Sequence, residues 1–209
     1  MNLIDKSIYE NLELLPEDSS GWNGKSQLFE KLIQDLRPKT IIEVGTWKGQ
    51  SAITMGNSVK NLGLETKIYC VDTWLGAIEF WGFLKETEER NLFLKNGYPQ
   101  VYFQFLSNVV HHGLQDIILP FPNTSENGYR YLRDNGISPE LVYIDASHEE
   151  DDVYRDITNY YNLLSIGGVI FGDDYISWEG VNKSVNRFSE ENNLTFDVIE
   201  NNFWLITKK

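Results

Sequence analysis

The sequence predicts an α/β protein: a doubly wound, mostly parallel seven-stranded sheet whose last strand runs antiparallel. Three observations predict it. Five short apolar runs recur along 209 residues, amphipathic helical patterns separate them, and two strand-like segments with only two residues between them close the chain. Short continuous apolar runs suit strands buried on both faces, as in parallel sheets. Alternation of strand and helix implies right-handed crossovers. A two-residue connection can join only antiparallel neighbours.

The elements follow in order. Ser26 is placed to cap a helix over residues 27–36, which sets Leu28, Phe29, Leu32, Ile33 and Leu36 on one face. Residues 39–44 (K-T-I-I-E-V) form the first strand and residues 50–62 the next helix. Residues 67–71 (K-I-Y-C-V) form the second strand, and 99–112 an aromatic-rich helix. Residues 116–119 (D-I-I-L) read as a weaker third strand that Pro120 ends. A helix over 125–135, a strand over 141–144 (L-V-Y-I) and a helix over 149–164 follow, the last stopping at Gly167-Gly168. The fifth strand covers 169–171 and its helix 180–192. The closing hairpin pairs 195–200 with 203–207 across Asn201-Asn202, a residue type that tolerates the positive φ of a tight turn.

The chain reads as one domain over residues 1–209, with 1–25 as an N-terminal arm or lid and 74–98 as an insertion. The insertion carries Trp74, Phe80, Trp81, Phe83, Phe93 and Tyr98. It is either an extra helix packed on the sheet or a binding wall, since loops beyond strand ends build pockets. Trp22 and Trp178 are further candidates for that wall.

Eighteen basic against thirty-one acidic residues give a net charge of −13. That balance argues against nucleic acid and against an anionic membrane surface, both of which need clustered cations. Cys70 is the single cysteine, so no internal disulfide is expected, and a reducing, cytoplasmic setting is. No apolar run reaches the roughly 20 residues of a membrane span. Residues 1–18 are mixed and acidic, unlike a signal peptide. His111 and His112 read as the end of a helix, and Cys70 as inert core.

Four of the five strand runs hold or end at an acid: Glu43, Asp72, Asp145, and the pair Asp173-Asp174. Ligands of open parallel sheets bind beyond these strand ends. Acids also cap helices and favour their N-terminal dipoles, which explains any one of them. Together they crowd like charge unless a ligand or cation separates it. The first strand runs into Glu43-Val44-Gly45-Thr46-Trp47-Lys48-Gly49. Its two glycines allow backbone to approach a ligand and leave helix N–H groups free, or make a plain tight turn. Asp72, ending the second strand, suits the hydroxyls of a ribose, so the combination points to a nucleoside cofactor. The spacing is not the G-x-G-x-x-G of a dinucleotide site, and Trp47 leaves little room for a pyrophosphate.

The Glu43-Val44-Gly45…Gly49 pattern resembles motif I of class I S-adenosylmethionine-dependent methyltransferases, and the closing hairpin matches their fold over about residues 26–209. A narrower resemblance lies in Asp145-Ala146-Ser147-His148 and Gly172-Asp173-Asp174. It is to metal-dependent O-methyltransferases of the macrocin and macrolide-sugar type. The resemblance implies a Rossmann-like methyltransferase fold and S-adenosylmethionine as cofactor, held by Glu43, Gly45, Thr46, Gly49, Asp72, Thr73 and Trp74, with Ser125 near the adenine. It further implies Mg²⁺ on Asp145, Asp173 and Asp174, His148 as general base, and a small-molecule acceptor such as a sugar or natural product. Small enzymes of this kind often pair, so a homo-oligomer is compatible. The chemistry suits these residue types. A hydroxyl holds its proton tightly at neutral pH, a hard cation on carboxylate ligands weakens that hold, and a histidine with an ordinary pKa of ~6.5 can accept the proton.

Adjacent strand residues face opposite ways, so Asp173 and Asp174 share one ion only if the backbone turns at Gly172. His148 is otherwise a surface or capping residue. Three other functions fit parts of the pattern: a metal-independent methyltransferase, a nicotinamide oxidoreductase, and a non-catalytic nucleoside-binding module.

Overall fold

The computed structural model describes residues 5–81, 91–200 and 202–209. Phe83 of the insertion and Asn201 of the hairpin lie outside them. The described strands are β1 (Thr40–Val44), β2 (Lys67–Asp72), β3 (Ile118–Pro122), β4 (Leu141–Ile144), β5 (Val169–Gly172), β6 (Asp197–Ile199) and β7 (Phe203–Thr207). The helices are α1 (Gln27–Leu36), α2 (Gln50–Asn61), the short α3 (Ile78–Trp81), α4 (Val101–His111), α5 (Ser125–Asp134), α6 (Glu150–Leu163) and α7 (Glu179–Glu191). The strands form one sheet in the order β3-β2-β1-β4-β5-β7-β6. β1 to β5 pair in parallel, and β7 is antiparallel to both β5 and β6. This is the predicted seven-stranded, doubly wound sheet.

The period of two along each strand divides the core. Ile41, Cys70, Tyr143 and Phe171 face one side with α1, α2 and α4. Ile42, Val71, Ile144 and Ile170 face the other with α5, α6 and α7. Both faces being covered is why these runs lack polar alternation. The Ser26 hydroxyl caps α1 as expected, accepting from the Leu28 N–H at 3.0 Å.

Two expectations need correction. Pro120 does not end the third strand but sits inside β3, opposite Cys70. β3 is an edge strand, where a missing N–H is tolerated. The hairpin turn also starts earlier than expected. Glu200 takes the left-handed conformation (φ 52°), and the Asn202 N–H closes the turn onto the Ile199 carbonyl at 3.1 Å.

Candidate active site

A cavity of about 830 Å³ opens over the C-terminal ends of β1, β2, β4 and β5. Gly45, Thr46, Asp72, Thr73, Ser125, Asp145, His148, Asp173 and Asp174 all line it. Glu43, Gly49 and Trp74 are not among the lining residues. Glu43 is wholly buried, accepting from the Ser51 hydroxyl and from the Cys70 thiol at 3.4 Å. Burial pushes its carboxyl up to about 7, against the lowering effect of the Ser51 and Cys70 bonds. Gly49 caps α2 (φ 89°), where a Cβ would come within 2.8 Å of the Phe105 ring. The Trp74 indole is buried, donating to the Trp47 carbonyl at 2.8 Å.

The loop after β1 is built around Asp72. One carboxylate oxygen accepts from the Thr46 and Trp47 N–H groups at 2.8 and 2.9 Å, and the other from the Trp74 N–H at 2.7 Å. These bonds hold Trp47 and Trp74 in left-handed conformations, each at φ 52°. A carboxylate offers about four acceptor sites, so three N–H bonds leave one for a ligand. Gly45 is required at the next crossing. Its φ is 82°, and a Cβ there would lie 2.0 Å from the Asp145 carbonyl oxygen.

Ligand atoms of Asp145, His148 and Asp174 lie within 4.8 Å of one another. Asp145 follows β4 and accepts from the buried Tyr143 hydroxyl at 3.0 Å. Burial, then the charges of Asp173 and Asp174, push its carboxyl up to about 8. His148 Nε2 meets the Asp174 carboxylate at 3.1 Å. Burial lowers the affinity of His148 for a proton, but the bond to Asp174 and the charges of Asp174 and Asp145 outweigh it, leaving the pKa above its ordinary value.

The adjacent acids do divide, but not at Gly172. That glycine stays in β5, where a Cβ would press within 2.6 Å of the Trp204 ring. The turn comes at Asp174, which is left-handed at φ 67°. Asp173 stands apart from the three-residue cluster. It accepts from the Asn23 and Asn202 side-chain amides at 2.8 and 2.5 Å and from the Asp174 N–H at 2.7 Å.

Aromatic candidates for the wall gather around the site. The His148 ring stacks on Trp178 with centroids 4.2 Å apart and planes at 12°. Trp47 and Phe80 meet edge to face at 4.8 Å, and Trp22 lies 6.2 Å from Phe80, so part of the arm and part of the insertion do join the cavity wall. Asp156, from α6, lines the cavity beside Ser125, and burial pushes its carboxyl up to about 6. His111 and His112 lie on and just past the end of α4, where they meet the Leu15 carbonyl and Glu17.

The residues present fit both implied groups. Asp72 keeps an acceptor site, and the buried Trp47 Nε1–H, on a cavity-lining side chain, has no hydrogen-bond partner among the described residues. Two converging carboxylates are what a hard cation takes from protein when substrate and water complete its shell.

A reversed β7 in a 3-2-1-4-5-7-6 sheet, with a cavity beyond the strand ends, is the architecture that the resemblance to S-adenosylmethionine-dependent methyltransferases implied. A family model described as a methyltransferase domain matches residues 42–175, more than half the chain, and the chain belongs to that family. Rhamnosyl O-methyltransferase of Mycobacterium tuberculosis is 25% identical over 174 residues, covering 74% of this chain and 69% of its own. An uncharacterised Sinorhizobium fredii protein, y4gI, is 27% identical over 155 residues, but the match spans only 15% of its length. Among solved structures, the O-methyltransferase TomG of Streptomyces achromogenes, in complex with S-adenosylmethionine, shares the fold. Its TM-score is 0.63 at 16% identity, covering 92% of this chain and 82% of that one.

Proposed function

We propose that the chain transfers a methyl group from S-adenosylmethionine to a hydroxyl of a small polar acceptor, a sugar or a sugar-bearing natural product, with Mg²⁺ assistance and His148 as base. The observation that carries this reading is the convergence of Asp145, His148 and Asp174 in the same cavity that the Asp72-ordered loop lines. The rhamnosyl O-methyltransferase relative supports a sugar acceptor. The net charge of −13 fits neither nucleic acid nor an anionic membrane as partner.

When bound, S-adenosylmethionine supplies an electrophilic methyl on a sulfonium that departs as a neutral thioether, and Mg²⁺ supplies the positive charge that eases loss of the acceptor proton. Asp145 and Asp174 would hold the cation. Asp173, already accepting three N–H bonds, positions the turn that aims Asp174. Gly45, Thr46, Asp72 and Thr73 would bind the cofactor, with Ser125 near its adenine; Glu43, Gly49 and Trp74 support that wall from behind. A proton on His148 Nε2 satisfies Asp174 and leaves Nδ1 to accept the hydroxyl proton. Asp174 then faces an imidazolium, which its charge stabilises.

Residues 1–209 are read here as one domain, a reading supported by Tyr9 of the arm and Leu92 of the insertion, which share one core cluster. Among the described residues no helix is long and apolar enough to cross a membrane. The buried free thiol of Cys70 suits a reducing, cytoplasmic setting.

Asp145→Asn and His148→Ala should still bind S-adenosylmethionine in calorimetry while product formation falls at least ~100-fold, the usual worth of a general base. Undiminished turnover in both variants removes the mechanism. Chelation should abolish turnover and added Mg²⁺ restore it; full activity after chelation would instead select the metal-independent route.

A further inference from the structure

Resting on the function proposed above, we infer that the acceptor carries no phosphate: it is a neutral or amine-bearing glycoside, not a nucleotide-linked sugar. Sugars are O-methylated in one of two chemical states. Either the sugar still carries its nucleoside diphosphate, with two or more negative charges, or it has already been transferred to an aglycone.

The cavity is built against the first state. Among the described residues, eight Asp and Glu side chains line it, against one arginine, Arg155. That guanidinium is already paired with Asp152 at 3.0 Å. The other cation near the loop, Lys48, is fully buried and bonded to Asp18 at 2.6 Å, so it cannot turn toward a ligand without breaking that pair. One divalent cation between Asp145 and Asp174 would be balanced by those two carboxylates. Glu79 from α3 and Glu149 beside the N-terminus of α6 would still face the incoming acceptor. A diphosphate entering this mouth meets like charge in a cleft that focuses it.

What the cavity does offer is aromatic surface and hydrogen-bond acceptors. Trp22 and Trp178 line it and are 42% and 40% exposed. Flat aromatic faces suit the C–H surface of a pyranose, and carboxylates accept from its hydroxyls or from an ammonium. The reaction that supplies this acceptor is therefore a glycosyl transfer that has already released the nucleotide.

The test compares three probes with the intact protein, S-adenosylmethionine and Mg²⁺: methyl α-L-rhamnoside, an amine-bearing methyl glycoside, and dTDP-rhamnose. The inference expects kcat/KM for the best glycoside to exceed that for the nucleotide sugar by ~100-fold at low salt. Raising ionic strength should narrow the gap, because screening weakens repulsion. The double variant Glu79→Gln, Glu149→Gln should shift the ratio toward the nucleotide sugar by ~10-fold, chiefly through a lower KM for it. A nucleotide sugar used as well as or better than both glycosides overturns this inference and leaves the methyltransferase reading intact. No methylation of any probe, with cofactor binding demonstrated separately, overturns both.

Discussion

Asp72 and Gly45 together shape the β1–β2 side of the cavity, and each does so through the backbone it meets. The Asp72 carboxylate collects three N–H groups from two loops. Asp72→Asn replaces one acceptor oxygen with an amide donor that must face N–H groups. The loop should loosen, and S-adenosylmethionine should bind at least ~10-fold more weakly in calorimetry, the worth of one charge-assisted bond. Gly45 is held where a Cβ would meet the Asp145 carbonyl at 2.0 Å, a contact with backbone that no rotamer relieves. Gly45→Ala should cost about 3 kcal/mol or more in denaturant unfolding, since overpacking and a strained φ add. A stability within 1 kcal/mol of the parent would show that β1 and β4 can separate at that crossing without loss.

At the level of elements, the N-terminal arm is held by a buried ion pair. The Lys48 side chain is 0% exposed and its ammonium reaches Asp18 at 2.6 Å and the Ser20 hydroxyl at 3.1 Å. Asn108 of α4 ties the same stretch through the Asp18 N–H and carbonyl and the Lys48 carbonyl. Further along, Asn23 reaches Asp173. The two partners differ in exposure, because Asp18 keeps 37% of its side-chain surface in solvent. Removing Asp18 strands a buried ammonium, whereas removing Lys48 leaves a carboxylate that water can still reach. Asp18→Asn should therefore destabilise by about 3 kcal/mol and Lys48→Met by less, about 1–2 kcal/mol. Urea unfolding of both variants gives the order; the reverse order would mean that Lys48 matters for packing, not for charge.

Across the whole molecule, buried acids tilt stability against pH. Glu43 titrates near 4.5 when unfolded and about 7 when folded, because burial disfavours its charge. The folded state then binds more protons than the unfolded state between those values, so the Glu43 contribution to stability falls as pH rises from about 4.5 to about 7 and is level beyond. Asp156 acts in the same direction over a window from 3.8 to about 6. Glu43→Gln should flatten the upper part of this slope, with a gain on the order of 2 kcal/mol at pH 8 and little change at pH 4.5. Thermal melts across that range would show it, and identical slopes in parent and variant would place the penalty elsewhere.

The strands and helices were legible because each is specified locally. Residues 141–144 are apolar on both faces, and Ser26 caps the helix that follows it. Pro120 misled because its tolerance depends on β3 lying at the edge, which no local pattern states. The acids at the strand ends were legible as a set, but not their division of labour. The sequence alone determined the alternation, the sheet and the family motif, since all three follow from hydrophobic period and residue type within short windows. Only the tertiary structure decided that Asp174, not Asp173, joins Asp145 and His148. That choice depends on a left-handed turn at Asp174 and on amides from Asn23 and Asn202, 150 and 29 positions away from Asp173 along the chain. Side-chain direction at a strand end is set by whichever distant segments pack there, and a linear pattern of residues does not contain that contact.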